Sequence, residues 1–473
     1  MLYRLFSLII VCGLAFSVVA CSPSRSGPLN YDGSVVDGEL NQNNCGPGEI
    51  ECDGVCVDTY TDPSHCGGCG NQCNQTQEAC INGVCTPFEC TPGESESCYT
   101  GPSGTVDNPP CQAGTRVCGA DRFWGLCQDQ VTPIPEVCYN GLDDNCDGII
   151  DEGCSCDEDL LSDSSDPVHY AMAMGICEFT TEESEEWGLI SASFSLADGT
   201  GDPNSNARSI RSGFGATQVQ EGDKLVVLSS GHAAAQGDTN PDFAEFQYGE
   251  SLGTSSSVPE DWLNANGGNL PNAPGCPTPS DDGWANDPVM LTLRIRVPDN
   301  ANSFSMRTNF FSAEYPQWVC SSYNDFFIVL LDSSYAGDSP NPADKNLAIY
   351  TAPDNTDYPI GVNLAFGNTG LFQQCLNGDA GCSGSQLTQI TTCTGTDELV
   401  GTGFDIVSSG CGDNNMTGGG TGWLVTSGNV VPGEIITLRI AIWDTGDHML
   451  DSVALIDQFT WNMEVTDPGT IVN

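Results

Sequence analysis

The stretch "VMLTLRIRV", residues 289–297, decides the fold. Leu291, Leu293, Ile295 and Val297 share one parity, and Thr292, Arg294 and Arg296 take the other. Side chains alternate across an extended chain, so this period of two predicts a strand with one face buried. The pattern recurs downstream. "SFSMRTNFF" (303–311) turns Phe304, Met306 and Phe310 inward, and "IITLRIAIW" (435–443) does so with Ile436, Leu438, Ile440 and Ile442. "FTWNMEV" (459–465) repeats it through Phe459, Trp461, Met463 and Val465. "KLVVL" (224–228) and "FFIVLL" (326–331) are apolar throughout and fit central strands. One helix is predicted, in "DPVHYAMAMGI" (166–176), with Asp166 as N-cap and Pro167 in the first turn. Gly-, Pro-, Asn- and Asp-rich loops separate the strands. Residues 157–473 therefore predict an antiparallel β-sandwich or jelly roll, in a chain that is mainly β.

Upstream the logic changes. Seventeen of the 26 cysteines lie between residues 45 and 156, where large apolar residues are few. Such a segment buries too little to offset its chain entropy, so covalent cross-links must hold irregular modules together. The first module, 45–89, contains "DPSHCGGCGNQC", in which His65, Cys66 and Cys69 have zinc-ligand spacing. Disulfides are the stronger expectation for an exported chain. This stretch resembles the repeat of stigma-specific cysteine-rich secreted proteins. The second module, 90–156, carries "CQAGTRVC", "WGLC" and "PEVCYNGLDDNCDGIIDEG", which resemble the MopE-like metal-binding modules of bacterial surface proteins.

The chain opens with an apolar run, residues 1–20, too short for a comfortable membrane span and fitting a secretory signal. It ends in "VVAC", which resembles the lipobox of bacterial lipoproteins. That resemblance implies a lipid on Cys21, a polar tether over 21–44, and Ser22 as a residue favouring the outer membrane. The protein would then face the periplasm or the cell exterior. Cys12 would leave with the signal, so 24 cysteines remain for pairing, an even number.

Twelve Lys and Arg face 64 Asp and Glu, a net charge of −52. Such a surface repels a phosphate backbone and excludes nucleic acid as a partner, whereas it attracts divalent cations. The acids concentrate in "NGLDDNCDGIIDEGC", residues 140–154. Counted from Asp143, oxygen side chains fall at loop positions 1 (Asp143), 3 (Asn145), 5 (Asp147) and 9 (Asp151), with Gly148 at 6 and the Ile149 carbonyl at 7. Calcium loops supply oxygens at these offsets. Cys154 stands at position 12, where a bidentate Glu belongs, and Glu152 is its candidate substitute. The run is similar to thrombospondin type 3 repeats, which are also tied by disulfides. Copper, associated with one MopE-like class, suits these hard oxygens poorly. The remaining possibility is an acidic turn whose side chains cap their own backbone.

Further on, "FFSAEYPQWVCSSYNDFFIVLL" (310–331) resembles the signature of the choice-of-anchor L domain, supported by "DPVHYAMAMGIC" and "VVLSSGHA". The resemblance implies an extracellular domain on a variable anchor and no defined activity. Within it Glu314, Asn324 and Asp325 are candidates for a second metal or ligand site. Asp447, Asp451 and Asp457 are further candidates at one end of the sheets. Trp262, Trp284 and Trp318 sit in loop-like stretches and are candidate sugar contacts or, equally, packing anchors for long loops. No GxSxG elbow, HExxH or phosphate-binding loop is present. The sequence thus predicts a lipid-anchored, non-catalytic adhesion or recognition protein with calcium, whose partner is a surface polysaccharide or a protein. The alternatives are a surface hydrolase using the carboxylates near Glu314 and Asp325, or a purely structural envelope protein.

Overall fold

The computed structural model describes residues 45–46, 48–106, 108–138, 140–249, 251–279, 283–384, 386–406, 411 and 418–472. The leader, Cys21 and the tether lie outside the described residues. No helix among the described residues is long and apolar enough to cross a membrane. The chain is mainly β, with a disulfide-rich N-terminal region followed by antiparallel sheets.

Two compact units divide at Cys90 and Thr91. The first is built from two short hairpins, Glu49–Cys52 with Val55–Asp58 and Glu78–Ile81 with Val84–Pro87. Their turns are Asp53-Gly54 and Asn82-Gly83, all four residues at positive φ, the backbone that a two-residue hairpin needs. Disulfides Cys45–Cys56, Cys52–Cys69, Cys66–Cys80 and Cys73–Cys85 cross-link them. Every cysteine from Cys45 to Cys411 is disulfide-bonded.

The second unit is a sandwich of two antiparallel sheets. In the larger, hydrogen-bonded neighbours run Gly469–Val472, Leu424–Asn429, Ser303–Ser312, Ser452–Asn462, Leu225–Ser229, Arg208–Arg211. In the smaller the order is Ser255–Ser257, Trp284–Arg296, Ile435–Asp444, Phe326–Asp332, with Gly188–Ser195 also beside Trp284–Arg296. The sequence alternation is realised here: Leu291 pairs with Ile440, Leu293 with Leu438 and Ile295 with Ile436, and all six are fully buried between the sheets. The predicted helix forms as Pro167–Met172, and the Asp166 carboxylate accepts the Val168 N–H at 3.0 Å.

No boundary between compact units falls at residue 157. A two-residue strand, Ile149–Ile150, pairs with Asn462 and Trp461 at the end of the 452–462 strand. Gly153 N–H donates to Glu221 at 2.6 Å, and Cys156–Cys177 ties the junction to the helix region.

Three readings of the sequence need correction. "FFIVLL" is not central; it ends the smaller sheet's order. It is apolar throughout because both its faces are covered. Phe327, Val329 and Leu331 join the core between the sheets, while Phe326, Ile328 and Leu330 pack outward against Trp262 and Trp443. "KLVVL" is covered in the same way, Val226 and Leu228 inside and Leu225 and Val227 outside against Phe214 and Phe246. Second, the 452–462 strand ends before Met463, and Val465 is 49% exposed. There the Asn302 and Ser303 side chains take the carbonyls of Met463 and Glu464 and draw the chain out of the sheet.

Third, Trp262 is no surface aromatic. It lies on a helix, Glu260–Ala265, and is fully buried, edge-on to Phe326 and Trp443 at 5.6 and 5.8 Å. Asp261 beside it bonds Arg439 at 3.0 Å and Lys345 at 2.9 Å, which pins so short a helix to the sheet. Trp318 is half-buried against Tyr323, and Trp284 remains exposed at the start of its strand. Trp262→Ala is expected to cost about 3–5 kcal/mol in chemical unfolding, the usual range for emptying such a site. A change below about 0.5 kcal/mol would mark Trp262 as a surface residue after all.

Candidate metal centres

The acidic loop folds around its own backbone first. Asp143 is fully buried, its Oδ1 accepting Asp147 N–H at 3.0 Å and its Oδ2 accepting Gly148 N–H at 2.8 Å. Asn145 Oδ1 takes Asp147 N–H and Asp147 Oδ1 takes Ile149 N–H, both at 2.9 Å. These steps of two, four and five residues tie the loop's side chains to its own backbone. Asp151 sits at positive φ, and its carboxylate receives the N–H groups of Asn140 and Gly141 at 3.2 and 2.9 Å. Ile149 enters the short strand on the sandwich. Cys146 is bonded to Cys111, and Cys138 to Cys154, so the loop is stapled on both sides.

Backbone capping does not satisfy every acid here. Glu152 Oε1 accepts from the Asn145 amide, but Glu152 Oε2 and Glu136 Oε2 are buried without a donor. Burial, reinforced by the charges of Asp147 and Glu136, pushes Glu152 up to about 7. Glu136 is raised too, first by burial and then by Asp143, Asp144 and Asp151. Glu152, the candidate substitute named from the sequence, lies bonded to Asn145, and Glu136, which was not a candidate and lies seven residues before Asp143, reaches the loop through the Asn145 N–H at 2.7 Å.

The second set of candidates divides. Glu314 follows the 303–312 strand, and Asp325 immediately precedes the 326–332 strand; both are buried. They meet at the end of the sandwich, where Asp325 N–H points to Glu314 Oε2 at 3.5 Å. Asp447 lies near enough for its charge to act on both. Asn324 serves elsewhere, accepting Asn363 N–H at 3.2 Å. Asp451 sets its carboxylate against Gly231, where a Cβ would stand 2.1 Å from Oδ2. Asp457 lies along the 452–462 strand at a bulge and accepts Gln220 and Gln458 N–H groups at 2.6 and 2.7 Å. It does not join Glu314 and Asp325.

The acid that sequence reading missed is Asp444. Phe326 pairs with Trp443, so the antiparallel register carries Asp325 opposite Asp444. The two carboxyl groups lie within hydrogen-bonding reach, and Asp444 is as buried as its neighbours. Burial raises all three, Asp325 to about 7, and the charge of Asp325 adds to the effect on Glu314 and Asp444. A carboxylate closing one apolar strand beside a carboxylate opening the next is the signal that sequence could have offered.

Residues 223–462, just over half of the chain, match the choice-of-anchor L domain family. The chain belongs to that family. Its sheets also recruit strands outside the matched span, at 149–150, 188–195, 208–211 and 469–472. Residues 22–87 match the stigma-specific STIG1-like protein family. No curated protein and no solved structure matches the chain. Among the described residues, three metal-ligating atoms come within 4.8 Å of one another only at Cys66, Cys73 and Cys85. Those sulfurs belong to the Cys66–Cys80 and Cys73–Cys85 disulfides, and Cys69 is bonded to Cys52, so the zinc spacing is spent in cross-links.

Asp457 offers a test of buried charge away from both clusters. Burial raises it from 3.8 to about 7, so its folded form holds a proton that the unfolded chain releases near pH 4. Its stabilising contribution is complete below pH 4 and is lost as pH rises towards 7 and beyond. Asp457→Asn keeps the acceptor for Gln220 and removes this dependence. Thermal or urea unfolding should then show a loss between pH 5 and pH 8 that is smaller than in the parent by on the order of 1 kcal/mol or more. Parallel pH profiles would contradict the assignment.

Proposed function

We propose that the protein is a non-catalytic cell-surface module, held by lipid at Cys21 in the outer membrane, whose acidic loop at 143–152 binds calcium. Asp143, Asn145, Asp147, Asp151, Glu152 and the Ile149 carbonyl supply the oxygens, with Glu136 added from outside the motif. Membership of a family named for its choice of anchor supports the place at the surface. The observation that carries the calcium reading is the pair of donorless buried oxygens, Glu136 Oε2 and Glu152 Oε2, on side chains bonded to Asn145 of the acidic loop. An oxygen-rich, hard-ligand group of this kind suits calcium rather than copper.

The ion has a structural task. It braces the loop that adds the Ile149–Ile150 strand to the sandwich, and so fixes the disulfide-rich residues from 91 onward to the domain that meets the ligand. The non-catalytic reading is supported by Glu314 and Asp325, which are 2% and 0% exposed; a polymer substrate cannot reach them. Recognition of a surface polysaccharide or a protein then falls to the open faces. A cleft of about 760 Å³ on the outer face of the smaller sheet, lined in part by Phe194, Asp198, Asn264, Thr292 and Arg439, is the first place to look.

Calorimetric titration of the full mature chain with calcium tests the loop. Binding in the micromolar to millimolar range is expected, with one binding event abolished by Asp147→Ala. Unchanged heats in the variant would overturn the assignment. Glycan-array binding that disappears with Asn264→Ala would place the ligand in the cleft.

A further inference from the structure

The end of the sandwich poses a problem that hydrogen bonding leaves unsolved. Asp325 and Asp444 oppose each other on neighbouring strands of the smaller sheet, and like charges facing across a strand pair repel. Asp325 Oδ1, Asp444 Oδ2 and the Thr445 hydroxyl are all buried without a donor or acceptor. Glu314 comes to the same place from the larger sheet. Asp325 has the Ser452 hydroxyl and the Thr445 N–H as neighbours, and Ser230, also from the larger sheet, at 3.5 Å from its Oδ2, but none of these brings a positive charge. Among the described residues no Lys, Arg or His forms an ion pair with Glu314, Asp325 or Asp444. The nearest basic side chain of this loop, His448, is bonded to Asp287 at 2.7 Å.

Burying one unpaired charge is costly, and burying three together is more so. Only a positive species or protons can relieve it. We propose that Glu314, Asp325 and Asp444, with the Thr445 hydroxyl, ligate a buried hard divalent cation, calcium by the kind of ligand, which clasps the two sheets together. The ligands come from both sheets: Glu314 from the end of the 303–312 strand, Asp325 and Asp444 from the start and end of the 326–332 and 435–444 strands, and Thr445 from the residue beyond. Asp447, from the same turn, adds charge to the entrance. Asp325 and Asp444 lie within hydrogen-bonding reach of each other, and the ion would draw Glu314 in beside them. This clasp is independent of the 143–152 loop. It gives the choice-of-anchor L domain a cation of its own, at a site made by the signature Glu314–Asp325 and the 444–445 strand end.

The calcium bound by the full mature chain at equilibrium dialysis against excess calcium separates the two sites. The parent should carry one calcium more than Asp147→Ala, and also one more than Asp444→Asn. Chelation should lower the melting temperature of the parent and of Asp147→Ala, and lower that of Asp444→Asn much less. If the acids instead share protons or a water, Asp444→Asn keeps the parent's full metal content and melts no lower than the parent after chelation, which overturns the clasp. Loss of an ion in Asp147→Ala but not in Asp444→Asn would leave the loop standing and remove the clasp, and the converse would do the opposite. Should Asp444→Asn fail to fold, terbium added to Asp147→Ala gives the answer without it. Trp443 adjoins Asp444, so saturable tryptophan-sensitised emission that calcium displaces is expected; its absence overturns the proposal.

Discussion

Sixty-four acids cannot be neutralised by twelve bases, and this shortage governs the whole molecule. Several of the few cations fix partly exposed geometry, while Arg211 is buried beside Asp238. Arg439 and Lys345 hold Asp261 and Asp332 over the smaller sheet, and hydrogen bonding to Arg439 keeps the Asp261 carboxyl far below its usual range. Arg294 takes Glu182. Elsewhere acids turn to the main chain. Asp143, Asp147 and Asp151 wind the loop, and Asp157 receives the Asp223 and Lys224 N–H groups at 3.0 and 2.7 Å. A backbone N–H supplies a strong partner without a second charge, and a chain so acidic has little else to use. At Glu136, Glu152, Asp325 and Asp444 the donors do not suffice, and one oxygen of each is left buried without a partner.

Covalent and hydrophobic forces decide where those oxygens meet. The disulfides Cys111–Cys146 and Cys138–Cys154 keep the acidic loop compact against its own repulsion, which a small core could not do. At the sandwich end the work falls to packing. Apolar clusters outside each sheet, around Trp262 and Trp443 on one and Phe246 and Phe404 on the other, lock the strands from both faces. Phe246 and Phe404 stack at 4.3 Å. Rigid strands then hold Asp325 and Asp444 opposite each other whether or not the pairing is electrostatically favourable.

Much of this was legible in the sequence, and the parts that were not have physical causes. Alternation located the strands whose outer faces are polar, such as 284–296 and 435–444, because burial on one side writes a period of two. It misplaced 326–332, since a second apolar layer erases the alternation that tells an edge from a centre. Trp262 was misread because six residues are too few to show a helical period. In the acidic loop spacing alone suggested a candidate site, and in the sandwich spacing could not. Asp457 and Asn324 lie as near in sequence to the cluster as Asp444 does, but register decides which carboxylates meet. Glu136 escaped notice for the same reason, joining the loop through a fold in the chain rather than through spacing.

The proposed cations would complete a structure whose protein groups alone are short of positive charge. A crystal structure of the mature chain grown with calcium, with anomalous scattering recorded, tests this most directly. The account predicts anomalous peaks among Asp143, Asp147 and Glu152 and among Glu314, Asp325 and Asp444, with each carboxylate closed to within calcium-ligand distance of about 2.3–2.6 Å. Density for water alone at both places, or a short contact between Asp325 and Asp444 oxygens with nothing between them, would contradict it.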